Sequence, residues 1–334
     1  MPHPTLIIPF ALAPTEHAKD LLATLQAPSL AQLLSHASAV RRDAFEPYAP
    51  LLPHEQWLIG SQRDNSPAIA HVLKHQLGLT IEPVYWFVLE PAHFHVARDH
   101  LVLTDRRQLT LDDATSRTLF DAAHPLFEEL GYTLRYGDAR HWFLRADAWS
   151  ELRTCSPDAA CGHNIDVWLP RGPGERDWRR LHNQVQMLWH THAINDAREQ
   201  RGERRINALW LWGGSAGLHG QTAKEQEQTQ LAGLRELARC SLGQSAADIS
   251  NDTELRLLDA LIEPALAGDW SGWLAAMAKL DASQFTPLLT QLKQGAIDGI
   301  TLVLTDSTRA IEWQLRRSSM RKFWIRASLA RLAP

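Results

Sequence analysis

The sequence predicts an α/β protein, and three observations carry the prediction. Apolar-rich runs of strand length recur: VYWFVL at 84–89, which is continuous, and INALWLW at 206–212 and GITLVLT at 299–305. Such runs suit strands buried on both faces. Between them lie stretches with apolar residues three and four apart that stop at a glycine, as 112–130 stops at Gly131; that is helix spacing with a helix stop. Finally, 334 residues with 45% hydrophobic and 22% charged side chains are ordinary for folded chains. They suit one large domain or two modest ones, and they exclude disordered, collagen-like and coiled-coil classes.

The elements follow in order. LIIPF at 6–10 reads as a strand between prolines. Two helices are expected at about 15–26 and 29–36, with Ser29 as N-cap of the second. Residues 45–53 carry three prolines and read as an irregular crossing segment. A helix over about 66–76 ends at Gly78. The 84–89 strand, a strand at 101–103 and the long 112–130 helix come next. The segments 132–136 and 141–145 form a hairpin around Gly137-Asp138. After a loop from 155 to 174, one helix spans about 175–200. Its apolar stripe is Trp178, Leu181, Val185 and Leu188, continued by His192 and Asn195. The 206–212 strand then runs into a glycine turn, Gly213-Gly214-Ser215-Ala216-Gly217, and the Gly-, Ser- and Ala-rich stretch Gly213 to Thr222 is the candidate weak point between lobes. Helices are expected at 224–238, 252–267, 270–280 and 284–294, a strand at 299–305 with a hairpin partner at 310–315, and a basic tail over 316–331.

Net charge is −4, so no global basic field draws the chain onto nucleic acid or membrane. No apolar run approaches the roughly 20 residues of a membrane span. The N-terminus lacks a basic segment and its apolar run is too short for a signal core. A soluble cytoplasmic protein is expected. The 13 tryptophans sit in apolar runs and are assigned mostly to core. Cys155, Cys161 and Cys240 are too few for a disulfide framework, and Cys155, Cys161 and His163 match no zinc module. Nine of 16 histidines fall in the first 100 residues and none follows His219. His93 and His95, with Asp99 and His100, form the only dense set of weak metal candidates.

One polar track stands out. His192, Asn195 and Arg198 are three apart on the predicted helix, and Asn207 on the next strand can face back toward them. With Gly213 and Gly214 they are the candidate ligand-binding residues. Arg198 would grip a phosphate or carboxylate in a fork. The alternative is a buried polar network pinning helix to strand.

The residues from 188 to 214, LWHTHAINDAREQRGERRINALWLWGG, resemble the archaeal-type cofactor-independent phosphoglycerate mutases. There a helix carrying H-P-V-N-x-x-R runs into a strand of the type A-N-x-I-W-L-W-G. Gly131-Tyr132, Arg140-His141-Trp142, Ser156-Pro157-Asp158, Gly162 and Trp168-Leu169-Pro170 follow the order of that family's inserted substrate domain, so the resemblance covers roughly 131–214. The whole chain also resembles uncharacterised bacterial proteins labelled phosphoglycerate mutase, through Glu90-Pro91-Ala92-His93, Asp99-His100-Leu101 and Gln186-Met187-Leu188. The resemblance implies an alkaline-phosphatase-like α/β lobe, here 1–80 and 206–334, with an inserted α+β substrate-type lobe, 81–205.

It also implies a two-metal centre fed by an Asp-Gly after the first strand and by C-terminal Asp and His segments. This sequence departs at both places. The first strand runs into Pro9-Phe10-Ala11-Leu12-Ala13, and the C-terminal third holds no histidine. Asp306 is the one remnant. The expected function is therefore a mutase-like protein without cofactor, binding a phosphorylated metabolite or a protein partner, with nucleic acid an unfavoured ligand. The alternative is an active mutase or phosphatase with metal ligands relocated to His93, His95, Asp99 and His100.

Overall fold

The computed structural model describes residues 3–59, 69–80, 82–216, 224–243, 255–322 and 324–334, the side chains of 224–231 excepted. The expectations for 66–68, 217–222 and 252–254 lie outside the described residues. In chain order the elements are β1 (Thr5–Ile8), α1 (Ala18–Thr24), α2 (Pro28–His36), β2 (Ser38–Ala44), α3 (Pro53–Ile59), α4 (Ile69–Gln76), β3 (Trp86–Ala92), β4 (Phe94–Ala97) and β5 (His100–Leu103). Then come α5 (Asp113–Glu129), β6 (Thr133–Tyr136), β7 (Trp142–Arg145), α6 (Pro157–Ala160), α7 (Glu175–His190), α8 (Ala193–Gln200) and β8 (Ala208–Ser215). The chain closes with α9 (Lys224–Ser241), β9 (Leu255–Leu257), α10 (Ile262–Leu266), α11 (Trp270–Leu280), α12 (Thr286–Gln294), β10 (Gly299–Thr305) and β11 (Arg309–Arg316).

The chain divides into two compact units: Met1–Pro47, Leu52–Leu58 and Arg239–Pro334 form the first, and Tyr48–Leu51 with Ile59–Ala238 the second. The second reaches beyond 81–205 on both sides, taking in α4 and β8.

The first unit is built on a mixed sheet of order β2-β11-β10-β1-β9. β1 runs parallel to both β10 and β9, and β11 runs antiparallel to β10 and β2. Strand alternation sorts the side chains: Leu6 and Ile8 of β1 and Ile300, Leu302 and Leu304 of β10 share one core with Leu30, Leu33, Trp273, Met277 and Phe285. Ser29 is not the N-cap of α2. Pro28 occupies the first turn, and the exposed N–H groups are met from afar: Asp281 accepts from Ser29 N at 3.2 Å and from Leu30 N at 2.7 Å. A buried carboxylate at a helix N-terminus meets both orphan donors and the dipole. It sits on a single π-helical turn, Asp281–Phe285, that joins α11 to α12. A helix over 252–267 is replaced by β9 and the short α10. Three residues are too few to show a period; pairing with β1 decides them.

The second unit carries an antiparallel sheet of order β6-β7-β3-β8 and the separate β4–β5 hairpin. One sheet face gives Phe87, Leu89, Trp142, Leu144, Leu209 and Leu211 to a core completed by Leu119, Phe120 and Phe127 of α5 and Trp178, Leu181, Val185 and Trp189 of α7. α4 packs against β3 and β8. Ten of the 13 tryptophans are buried, and Trp324 is exposed.

Two local expectations are corrected here. The 175–200 helix is broken at Thr191–His192, where His192 caps α8 by accepting from Ile194 N at 3.3 Å. Gly213 and Gly214 are not a turn after the strand; both lie inside β8 and are buried. The sheet needs them bare. A Cβ on Gly214 would fall 2.3 Å from Phe87 Cε1, and one on Gly213 2.1 Å from Ile69 Cγ2.

Candidate functional site

The polar track on α8 is spent inside the protein. Asn195 is fully buried; its Nδ2 donates to the carbonyls of Trp189 (2.9 Å) and Ile206 (2.8 Å), and its Oδ1 accepts from Ile206 N (2.8 Å). Arg198 is 2% exposed. Its Nε donates to Arg204 O at 2.8 Å, one terminal nitrogen to Thr110 O at 2.6 Å, and the other faces Glu203 at 3.2 Å. Burial lowers the Arg198 pKa, and the Glu203 charge opposes that shift. Asn207 turns away from this track: its Oδ1 accepts from Phe94 N and its Nδ2 donates to Phe94 O, both at 2.8 Å. The helix end, the β8 approach and the start of β4 are thus stitched together by side chains that imitate backbone.

The histidine set does not converge. His93 Nδ1 bonds Arg205 O at 2.8 Å and His95 Nδ1 bonds Thr104 Oγ1 at 3.2 Å, with the two rings stacked 6.3 Å apart. Burial lowers the His93 pKa. His100 Nδ1 pairs with Asp99 at 3.0 Å in the β4–β5 turn. Among the described residues no group of three or more His, Cys, Asp or Glu is arranged to hold a metal ion.

Sequence reasoning missed a buried ion cluster in the second unit. Arg107 reaches Asp158 at 2.6 Å and Asp105 at 2.8 Å, and Arg106 lies 3.4 Å from Glu90 and 3.7 Å from Asp158. Trp212 Nε1 donates to Glu90 at 2.8 Å. Burial works against the Arg107 charge, yet the carboxylates of Asp158 and Asp105 hold it protonated well above the ordinary arginine range. In these contacts three carboxylates share two guanidinium groups. Glu90, Arg106 and Asp158 of the cluster line a cavity of about 10 Å³ together with Cys161 and Trp210, enough for about one water. Burial and then the nearby carboxylates push the Cys161 thiol up to about 12, so it stays protonated and inert. The three cysteines are all free thiols. The sequence signal was present in Glu90, Arg106, Arg107 and Asp158, but they are scattered over 69 positions with no period. Lys74 was missed too: its buried amine lies 3.5 Å from the Trp86 ring centre, and burial lowers its pKa to about 8.

In sheets with parallel strands, ligands gather at the strands' carboxyl ends. In the first unit β9, β1 and β10 end together. After β1 the chain turns inward: Phe10 adopts φ 56°, its carbonyl accepts from Trp273 Nε1 at 2.8 Å, and Ala11, Leu12 and Ala13 are buried. The first acidic residue, Glu16, is exposed. At the end of β10, Asp306 Oδ1 accepts from Thr308 N (2.8 Å) and Arg309 N (2.7 Å), and Oδ2 binds the Arg309 guanidinium at 2.5 and 2.7 Å. Past β9, Asp259 accepts from the Cys240 thiol at 3.1 Å. Among the described residues, the two carboxylates at these separate strand ends, each already engaged, do not fit a two-metal centre.

No family model matches the chain, and no curated protein matches it. Solved structures do. The PH0037 protein from Pyrococcus horikoshii is 12% identical, with 94% of this chain and 87% of that chain covered and a TM-score of 0.51. The two share a fold. A cofactor-independent phosphoglycerate mutase from Thermoplasma acidophilum DSM 1728 is 17% identical over 94% of this chain and 90% of its own, with a TM-score of 0.41. The likeness that bears on the fold is the one to the PH0037 protein. At such identities it is a likeness of fold and assigns no reaction.

Proposed function

We propose that this chain is a phosphoglycerate-mutase-like protein that has lost the two-metal phosphoryl-transfer centre and acts as a binding or regulatory protein. The observation that carries the proposal is the carboxyl edge of the first unit's sheet. Where the mutase chemistry would need a cluster of cation ligands, β1 delivers Pro9, Phe10 and buried alanines, and Asp306 spends both oxygens on its own turn. A carboxylate already satisfied by two amides and a guanidinium gains little from a cation.

The test is a manganese-supplemented assay of 2- and 3-phosphoglycerate interconversion together with elemental analysis of the purified protein. The expected result is no interconversion above background and fewer than two metal equivalents per chain. Robust manganese-dependent turnover, or two bound equivalents of zinc or manganese, would overturn the proposal.

A further inference from the structure

The net charge of −4 conceals a local excess of the opposite sign. From Trp313 to Pro334 the sequence has six arginines and lysines and no acidic residue. This segment belongs to the first unit and is fastened to the C-terminal end of α2. His36 Nε2 bonds Lys322 O at 3.2 Å, Ser328 N donates to Ser35 Oγ at 2.8 Å, and Arg331 donates to the carbonyls of Leu34 and Ala37. Where α2 gives way to β2 there is a groove of about 510 Å³, lined by Arg42, Trp313 and Arg331 with Ala39 and Ile311. That volume is in the range of ligand-binding clefts. The Arg331 and Arg42 guanidinium carbons lie 4.9 and 5.9 Å from the Trp313 ring centre. Arg42, Arg316, Arg317, Arg321, Lys322 and Arg326 are all exposed, and none has a carboxylate partner among the described residues. Trp324, 68% exposed, stands among them.

We propose that this face, the Arg42–Trp313–Arg331 groove continued by the described residues 316–322 and 324–331, binds single-stranded nucleic acid. Non-specific single-strand sites combine a positive track for phosphates with an aromatic surface for bases, and both are present. A lone nucleotide would not use cations spread over 16 positions. Duplex DNA is read by a helix or ribbon that enters a groove, and among the described residues of this segment the helical pieces are only the short turns Arg317–Arg321 and Ala330–Leu332. An anionic membrane would be drawn by the charges alone and offers the Trp324 ring no base to stack on, and the vesicles below distinguish the two. The inference goes beyond the proposed non-catalytic role and does not depend on it.

The test is fluorescence anisotropy of a labelled 20-nucleotide oligothymidylate with the full chain over a series of salt concentrations. Saturable binding at low salt is expected. Its log–log salt slope should lie at about −2 to −4, as for three to six neutralised phosphates at about −0.7 each. Arg42→Glu is expected to weaken binding at least tenfold and Trp324→Ala at least fivefold. Arg117→Glu, an exposed charge reversal in the second unit, leaves it unchanged. Lack of saturable binding at low salt overturns the proposal, as does indifference to both Arg42→Glu and Trp324→Ala. Equally tight binding of thymidine monophosphate, polyglutamate or anionic vesicles also overturns it, since each would make the strand itself irrelevant.

Discussion

Arg198 and Arg42 are the same side chain in opposite settings. Arg198, in the second unit, is 2% exposed and has its donors on two carbonyls and a carboxylate. Arg42, on the edge strand β2 of the first unit, lies open to water over the Trp313 ring. A buried guanidinium is costly to desolvate, so it is tolerated only where its five donors are used, and it then acts as a rivet. An exposed one keeps its donors for an outside anion. The difference locates binding capacity in the basic strand-and-tail face and structural dependence in the α8 network.

Removing the rivet has the largest expected effect. Arg198→Ala takes the donor from the carbonyls of Thr110 and Arg204, while Glu203 keeps its pair with Arg201; two hydrogen bonds to a charged group, at about 1.5–3 kcal/mol each, give a loss of about 3–6 kcal/mol. Urea unfolding of the variant reads this directly. A loss under about 1 kcal/mol would show that Arg198 is not structural and would reopen it as a ligand anchor.

That choice marks how far the sequence could be read. The three-residue spacing of His192, Asn195 and Arg198 was visible, and so were both the ligand and the network interpretations. What decided between them is Thr110 O, 88 positions away in sequence, which no local pattern reveals. The strands at 84–89, 206–212 and 299–305 were legible because burial on both faces writes itself as apolar-rich sequence, continuous at 84–89 and broken by Asn207, Thr301 and Thr305 in the other two. The Gly213-Gly214 pair misled because glycine signals a turn far more often than a bare patch beneath Phe87. The ion cluster of Glu90, Arg106, Arg107 and Asp158 left no spacing to find. By contrast, the acid-free stretch from 313 to 334 was visible in the sequence; only its position beside a groove was not.

A second test of the inward-facing unit uses pH. His182 is buried against Phe94 and Trp178, and burial lowers its pKa from 6.5 to about 4. The native state holds this ring neutral while the unfolded chain takes up a proton below about 6.5. Stability is therefore fully present above that pH, falls as pH drops toward 4, and levels off below. At 1.36 kcal/mol per unit, 2.5 units correspond to about 3 kcal/mol. His182→Phe should flatten the wild-type decline between pH 6.5 and 4 by that amount. Parallel curves for the two proteins would mean that the ring titrates normally.

In the first unit the analogous inward contact is Asp281, whose carboxylate caps α2 from across the chain. Asp281→Ala leaves two helix N–H groups unmet in a buried setting. A loss of about 1.5–3 kcal/mol is expected, the scale for hydrogen bonds to a charged group. Asp281→Asn should recover part of it, because the amide oxygen can still accept. Equal losses in both variants would assign the effect to packing rather than to the cap.

The smallest expected effect completes the contrast with Arg198. Arg42 has no carboxylate partner among the described residues, and its guanidinium carbon lies 5.9 Å from the Trp313 ring centre, near the outer limit of a cation–π contact. Its strand is an edge, and the register with β11 shifts at Glu312/Trp313. Charge and irregularity of that kind keep an edge from pairing with other chains and leave the hydrogen-bond ladder with β11 intact. Arg42→Ala should therefore move unfolding stability by no more than about 0.5 kcal/mol, the usual range for a surface change. The comparison is sharpest with both variants in one denaturation experiment: a large loss for Arg198→Ala beside almost none for Arg42→Ala. If Arg42→Ala instead costs more than about 1 kcal/mol, the guanidinium is holding β2 to the Trp313 face. The groove would then be part of the fold's own packing, and Arg42 would not be free to meet a phosphate.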